Sequence, residues 1–425
     1  MKKIYYITLL IALTSFLVIN AQGNANSLAF SGSYMLRSQG TDCIYWNPNN
    51  LSGKFLYDKF QINTPLNLYF GAHNSDFSIG LYNDLNGNYI SEKLKDDLYK
   101  EIENNIKFQG NLSVNLIEIA YRNWGFACGV NNYFYGKISE KYLKLLLSGN
   151  EEEEYFFTDK NNSLSAVSFF NFTLSNSNYY LSDYITSLSK TEIPAIKIGW
   201  RLDFLLGNAY GNTETFDGSF STSIDSGTSF EQIVKIKEGQ GGYGLKANIF
   251  FTSQINDQLE VGLACKNIVG FINWIKTTKL RTYEIEMDSV YIADLQEDFY
   301  NTADYTEYID DFETIIPFTL HLSGLYHYKE KHSFSLDWKQ AFKQTVYSSK
   351  YPEISFGYEY KFRKYLPLRT GFNFGNPNHN FKFSLGTAFL TKITETSIAI
   401  QSTNHVIPCN LSHGFAFAFN FKLNF

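Results

Sequence analysis

Between Phe318 and Arg363 the chain alternates apolar and polar residues with a period of two. Phe318, Leu320, Leu322, Tyr326 and Tyr328 share one face, and Thr319, His321, Ser323 and His327 the other. Phe334, Leu336 and Trp338 then alternate with Ser335, Asp337 and Lys339, and Ile354, Phe356, Tyr358, Tyr360 and Phe362 with Ser355, Gly357, Glu359, Lys361 and Arg363. Strict alternation predicts strands with one apolar and one polar face. The spacers are short: Lys329 to His332, Arg363 to Pro367, and the breaker cluster Gly375-Asn376-Pro377-Asn378. The segments therefore predict antiparallel meanders of strands about 9–11 residues long, enough to cross a bilayer when tilted.

Two architectures fit such strands. A soluble sandwich turns its apolar faces inward, whereas a membrane barrel turns them to lipid and lines its lumen with the polar faces. Three features favour the barrel. Phe, Tyr and Trp dominate the apolar faces near strand ends, as interfacial girdles require. Charged residues recur on the opposite faces. The chain also ends GFAFAFNFKLNF, with Phe415, Phe417, Phe419, Phe421, Leu423 and Phe425 alternating to the last residue. In water such an exposed aromatic strand invites aggregation, and in a barrel it closes the sheet. The terminal strand, with Phe421, Leu423 and Phe425, resembles the signal read by the outer-membrane assembly machinery of diderm bacteria. The expected fold is an all-β, antiparallel transmembrane barrel of about fourteen strands built from residues 54–425.

Two segments break the strand rhythm. Leu94, Leu98, Ile102 and Ile106 recur every four residues after Ser91, predicting a helix near 91–106. Ser139 to Ser148, with Gly149 following, predicts a second. Gly211 to Gly227 reads as a turn-rich connection, and Gly239-Gln240-Gly241-Gly242-Tyr243-Gly244 as a hairpin turn. The acidic, Tyr-rich stretch Glu284 to Glu313 lacks the ligand spacing of a calcium loop and reads as a solvated surface loop.

Residues 1–21 read as a secretory signal: Lys2 and Lys3 precede the apolar run Ile4 to Ile19, with cleavage expected after Ala21. The net charge of −6 argues against a nucleic-acid partner. Cys43, Cys128, Cys265 and Cys409 are too scattered for a zinc site, and their three possible disulfide pairings stay open. His321 and His327 share a strand face about 20 Å apart, too far to hold one metal. Ser333, Ser335 and Asp337 near His332 do not make a triad by spacing alone. No nucleotide loop or His-Glu-x-x-His occurs. The reading is a non-enzyme with no cofactor and no metal.

Just after the signal stands SGSYMLRSQGTDCIYWNPNNLSG, residues 31–53. Its string Tyr45-Trp46-Asn47-Pro48-Asn49-Asn50-Leu51 resembles an early element of the long-chain fatty-acid transporter (FadL-like) superfamily of outer-membrane barrels. That element often reads Tyr-Trp-Asn-Pro-Ala-Gly-Leu. The order of this string, two early helices flanking a strand pair, then IPFTLHLSGLYHY and YLPLRTGFNFG, is closer still to an uncharacterised family of Bacteroidetes-type outer-membrane proteins. The resemblance implies a fourteen-stranded barrel whose residues 22–53 form a plug, or hatch, with Tyr45, Trp46, Asn47 and Pro48 as its element. Asn49 departs from the pattern, standing where the family has Ala. The implied function is uptake or binding of small hydrophobic molecules through a plugged lumen in the outer membrane, with membrane lipid and the assembly machinery as partners. The alternative is a non-transporting scaffold or secretion-system accessory that binds other surface proteins through its acidic segments.

Overall fold

The computed structural model describes residues 24–51, 60–63, 67–102, 105–149, 154–180, 195–223, 227–290, 300–376 and 381–425. The expected signal segment 1–21 and the boundary at 53/54 lie outside them. All strands belong to one antiparallel sheet. In its first half they are β1 (Phe60–Asn63), β2 (Asn67–Asn74), β3 (Asn105–Tyr121), β4 (Trp124–Ser139), β5 (Tyr155–Phe157), β6 (Ser163–Tyr180), β7 (Ile196–Ser223), β8 (Gly227–Gln254) and β9 (Leu259–Val290). In the second half they are β10 (Asn301–Tyr308), β11 (Phe312–Ile315), β12 (Thr319–Tyr328), β13 (His332–Ala341), β14 (Glu353–Arg363), β15 (Leu366–Phe374), β16 (Phe381–Leu390), β17 (Thr394–Thr403) and β18 (Gly414–Asn424).

The sheet closes on itself. Pairing runs from β2 through β3, β4, β6, β7, β8 and β9 to β12, then strand by strand to β18, which pairs back onto β2. Eighteen strand segments make this sheet, against the expected fourteen or so, and fourteen of them form the ring just traced. The extra segments arise because single neighbours are served piecewise. β1 and β2 both lie between β3 and β18, and β10, β11 and β12 pair with successive stretches of β9.

The faces decide between barrel and sandwich. On β18 Phe415 and Phe417 are exposed, while Ala416, Asn420 and Lys422 between and beyond them are buried. On β7 Leu202 and Phe204 are exposed, while Arg201 and Asp203 are buried. A water-soluble sandwich would do the reverse. Here lipid is the solvent that makes an outward Phe favourable, and the interior carries the polar groups. Tyr121, Trp124, Tyr328, Phe362, Tyr365, Phe389 and Phe425 are exposed around the end with the short turns, as an interfacial girdle. β18 sits between β17 and β2, and the Phe425 amide donates to the Phe60 carbonyl at 2.9 Å.

The helices lie at the other end. The first expected helix is shorter than its apolar stripe: it spans Glu92–Glu101, capped by Ser91, and Ile102 is already extended. Ile106 belongs to β3, so the four-residue spacing ran through a helix end into a strand. The second spans Glu140–Ser148, with Ser139 as N-cap and Gly149 at φ 81° as C-cap. A third, Ile79–Leu85, was missed; Ser78 caps it. Phe77, Leu81, Leu98, Ile102 and Ile106 form their shared core, with Leu143 and Leu147 packed against it.

Three readings of the middle are overturned. Gly211 to Ser223 is not a connection but the distal half of β7. Gly239 to Gly244 is not a hairpin turn: it lies inside β8, where the register with β9 shifts between Gln240 and Gly242 and Gly241 takes φ 59°. A β-bulge accommodates the extra residue, and glycine tolerates its backbone. The acidic stretch is not a simple loop either. Glu284 and Glu286 extend β9, and β10 pairs back on them. Its Thr and Tyr residues favour strands, and cross-strand pairs such as Arg281 with Asp304 at 2.9 Å offset the charge.

Candidate functional site

Residues 24–51 occupy the space inside the ring. They begin as a helix, Ala25–Ala29, closed by a capping box in which Asn24 and Ser27 exchange hydrogen bonds. Its alanines allow close approach to the wall, where Ala25, Leu28 and Ala29 pack with Tyr69, Ala399, Ala416 and Ala418. Phe30 lies against Gly357 and Gly371, where any Cβ would collide with it. The chain then reverses at Ser31 and Gly32, both at positive φ.

The polar anchors explain why so many charges face inward. Lys422, fully buried on β18, donates to Asp42 at 2.6 Å and to Glu395 at 3.5 Å. Asn26 donates to the same two carboxylates, and Tyr34 donates to Asp42 at 2.7 Å. Arg37 donates to Ser333 and Ser335 and covers the Phe30 ring at 4.6 Å. Burial lowers the Arg37 pKa to about 10, which leaves it charged at neutral pH, and burial pushes the Tyr34 and Tyr45 phenols up, which keeps them neutral. Buried charges are tolerated when paired and hydrogen-bonded in this way.

The residues singled out from the sequence stand together on the far side of this segment. Cys43–Trp46 is a short helix, Asn47 is extended, and Pro48–Asn50 forms a 3-10 turn with Pro48 at its first position. The Asn47 side chain accepts from the Asn49 amide at 3.3 Å, so Asn and Pro fix the turn locally. The Tyr45 carbonyl accepts from Arg201 at 2.6 Å, and its hydroxyl accepts from Asn171. Arg201 is held in turn by Asp203 at 3.0 Å. Trp46 meets Tyr34 and His321 edge-on, with ring centroids 5.6 and 6.4 Å away, and the Lys266 ammonium lies 5.3 Å from its ring centre.

Asn49, the departure from the family string, has a structural use. Its side-chain amide donates to the carbonyls of Lys197 and Phe250, and its own carbonyl accepts from Lys197 at 2.9 Å. Asn49 thus ties the turn to β7 and β8, which Ala could not do. Phe421 and Leu423 are on the opposite, outward face of β18, and Phe425 follows it at the girdle. Asp42, Lys422, Glu395 and Arg201 went unnoticed in the sequence. For Lys422, Glu395 and Arg201 the one signal is a charge at an inward position of an otherwise apolar or small-residue strand; Asp42 lies in the 3-10 turn Gly40–Asp42 and has none.

Between this segment and the long-loop end lies a cavity of about 200 Å³. Leu28, Ser31 and Trp46 contribute from the N-terminal segment, and Ile316, Tyr133, Phe169 and Tyr347 supply apolar surface from the barrel and its loops. Tyr347 packs on Tyr133 and Phe169 with ring centroids 5.3 and 6.4 Å away. His321 borders the cavity but is engaged by Asp337 at 2.7 Å, and His327 contacts Glu260 instead, so the two histidines do not converge. Ser323 also donates to Asp337, so serine and histidine share the carboxylate rather than contact each other.

No curated protein matches the sequence. A family of unknown function (DUF5723) matches residues 227–400. A crystal structure of the Pseudomonas putida toluene transporter TodX superposes with a TM-score of 0.50 at 14% identity, covering 95% of this chain and 98% of that one. The chain shares the TodX fold. A second TodX structure gives 0.51 at 12% identity over 96% and 98%. A Pseudomonas aeruginosa FadL homologue aligns over 96% of this chain and 99% of its own at 12% identity, with a TM-score of 0.48.

Proposed function

We propose that the protein is an outer-membrane channel of FadL-like kind, from the Bacteroidetes-type group whose motif order it carries. It takes up small hydrophobic molecules, and residues 24–51 serve as its plug. The supporting observation is the concave, partly aromatic cavity on top of that segment: ligand pockets are concave, with apolar surface and a few placed polar groups. The TodX likeness supports a barrel built for passage rather than catalysis. In this reading a solute rests against Trp46 and proceeds when the Tyr45-Trp46-Asn47-Pro48 element shifts.

The test is toluene entry into vesicles whose outer leaflet is lipopolysaccharide, a layer that slows apolar solutes. The wild-type chain is expected to speed entry over protein-free vesicles. Trp46→Ala is expected to speed it further and to expose residues 24–51 to protease, with heat-modifiable migration on gels unchanged. If permeation and protease resistance both match wild type, Trp46 merely packs and the gating role is lost.

A second reading, a docking surface for other proteins, is favoured by the length of β7, β8 and β9, 28, 28 and 32 residues. Strands of about 9–11 residues suffice to cross. A stoichiometric protein recovered with the barrel from native membranes would support it.

A further inference from the structure

The charge around the cavity is lopsided. Five cationic side chains line it, Arg201, Lys246, Lys266, Lys339 and Lys382, against two carboxylates, Asp337 and Glu353. Three of the five are accounted for. Arg201 and Lys246 share Asp203, at 3.0 and 3.7 Å, and Lys339 lies 3.8 Å from Glu353. Asp337 is already occupied by His321, Ser33 and Ser323.

Lys266 and Lys382 are different. Lys266 rests over the Trp46 ring, and Lys382, 5% exposed, has Glu353 as its nearest countercharge, which it shares with Lys339; among the described residues neither lysine comes within ion-pair distance of a carboxylate. Burying an ammonium with no carboxylate in direct contact is costly, and a ligand that brings a negative charge offsets the cost. The Trp46 indole Nε1–H is also buried and finds no acceptor. Strand register sets these groups along one belt of the wall. Lys266 pairs with Thr319, His321 with Lys339, Lys339 with Glu353, and Asn373 with Lys382.

Size narrows the class. A cavity of about 150 Å³ accommodates benzene, so about 200 Å³ holds one ring with a small substituent. Tyr133, Phe169 and Tyr347 offer aromatic faces for that ring.

We propose that the cavity is a binding site for single-ring aromatic carboxylates, with the ring against the aromatic cluster and the carboxylate answered by Lys266 and Lys382. This rests on the uptake reading and gives it a ligand class set by charge. The test titrates benzoate, its neutral isostere benzamide, and decanoate into the full chain in an uncharged detergent, by calorimetry. Benzoate is expected to bind at least about tenfold more tightly than either other probe, the scale of one charge-assisted hydrogen bond. Lys382→Met should lose that margin while benzamide binding stays unchanged, and Lys382→Arg should keep it. Benzamide binding equal to benzoate overturns the charge assignment, and decanoate binding more tightly than benzoate overturns the size assignment. Toluene entry without benzoate preference leaves uptake standing and removes this site. Benzoate binding without toluene entry does the converse.

Discussion

Lys422→Met should release residues 24–51 from the barrel while the barrel itself stays folded. Lys422 is the only cation within ion-pair distance of Asp42 among the described residues, and it also serves Glu395. Methionine fills its volume but leaves two buried carboxylates facing each other. Removing one partner of a buried ionic group costs roughly 3–5 kcal/mol, a factor of about 10² to several times 10³ in the docked population at 1.4 kcal/mol per decade. The measurement is protease cleavage within residues 24–51 of detergent-solubilised protein that still shows heat-modifiable migration. The triple variant Lys422→Met, Asp42→Asn, Glu395→Gln should recover protection, because its neutral groups need no cation. Wild-type protection in the single variant would mean that the packing of the Ala25–Ala29 helix and Phe30 suffices to hold the segment.

Deleting residues 24–51 should convert a closed barrel into a conducting one. The ring of backbone pairing from β2 to β18 does not include the segment, so its loss leaves the ladder intact. The wall it uncovers carries Arg201, Asp203, Glu395, Lys422 and many Ser, Thr and Asn side chains, which hydrate readily. Single-channel recording in planar bilayers is expected to change from rare openings in the full chain to continuous current in the deletion. A deletion variant that folds but stays closed would show that wall side chains fill the lumen by themselves, and uptake would lose its route.

What the sequence disclosed, and what it hid, follows from how far apart the cooperating residues are. Alternation is a local property, so the lipid-facing rows of β12 to β18 were legible from their own residues. Helix caps are local as well: Ser91, Ser139 and Gly149 stand where their chemistry puts them. The Asn47-Pro48 turn belongs to the same class. The anchors do not. Asp42 and Lys422 are 380 positions apart, and nothing near either one announces the other. The cavity gathers side chains from the N-terminal segment, the wall strands and the loop holding Tyr347, so no window of sequence contains it. The distal half of β7 reads as a connection and the middle of β8 as a hairpin turn because glycine, serine and threonine resemble loop composition. Pairing across a long hairpin overrode that local signal.

Those long strands link their distal tip to the cavity wall. At about 3.3 Å per residue, 28 residues extend about 90 Å along the strand, well beyond the part that crosses lipid. The ladder between β7 and β8 runs from Ile196 opposite Ser253 to Ser223 opposite Gly227, and its register shifts between Thr213 and Thr215. On the β8–β9 side it shifts at Gln240–Gly242 as well. Arg201, Lys246 and Lys266, which border the cavity, stand on the same three strands nearer the membrane. The same hydrogen-bonded backbone that builds the distal tip therefore continues without a chain break into the cavity wall. The bulge at Gly241 is where that ladder is interrupted, so the register on its two sides is set independently.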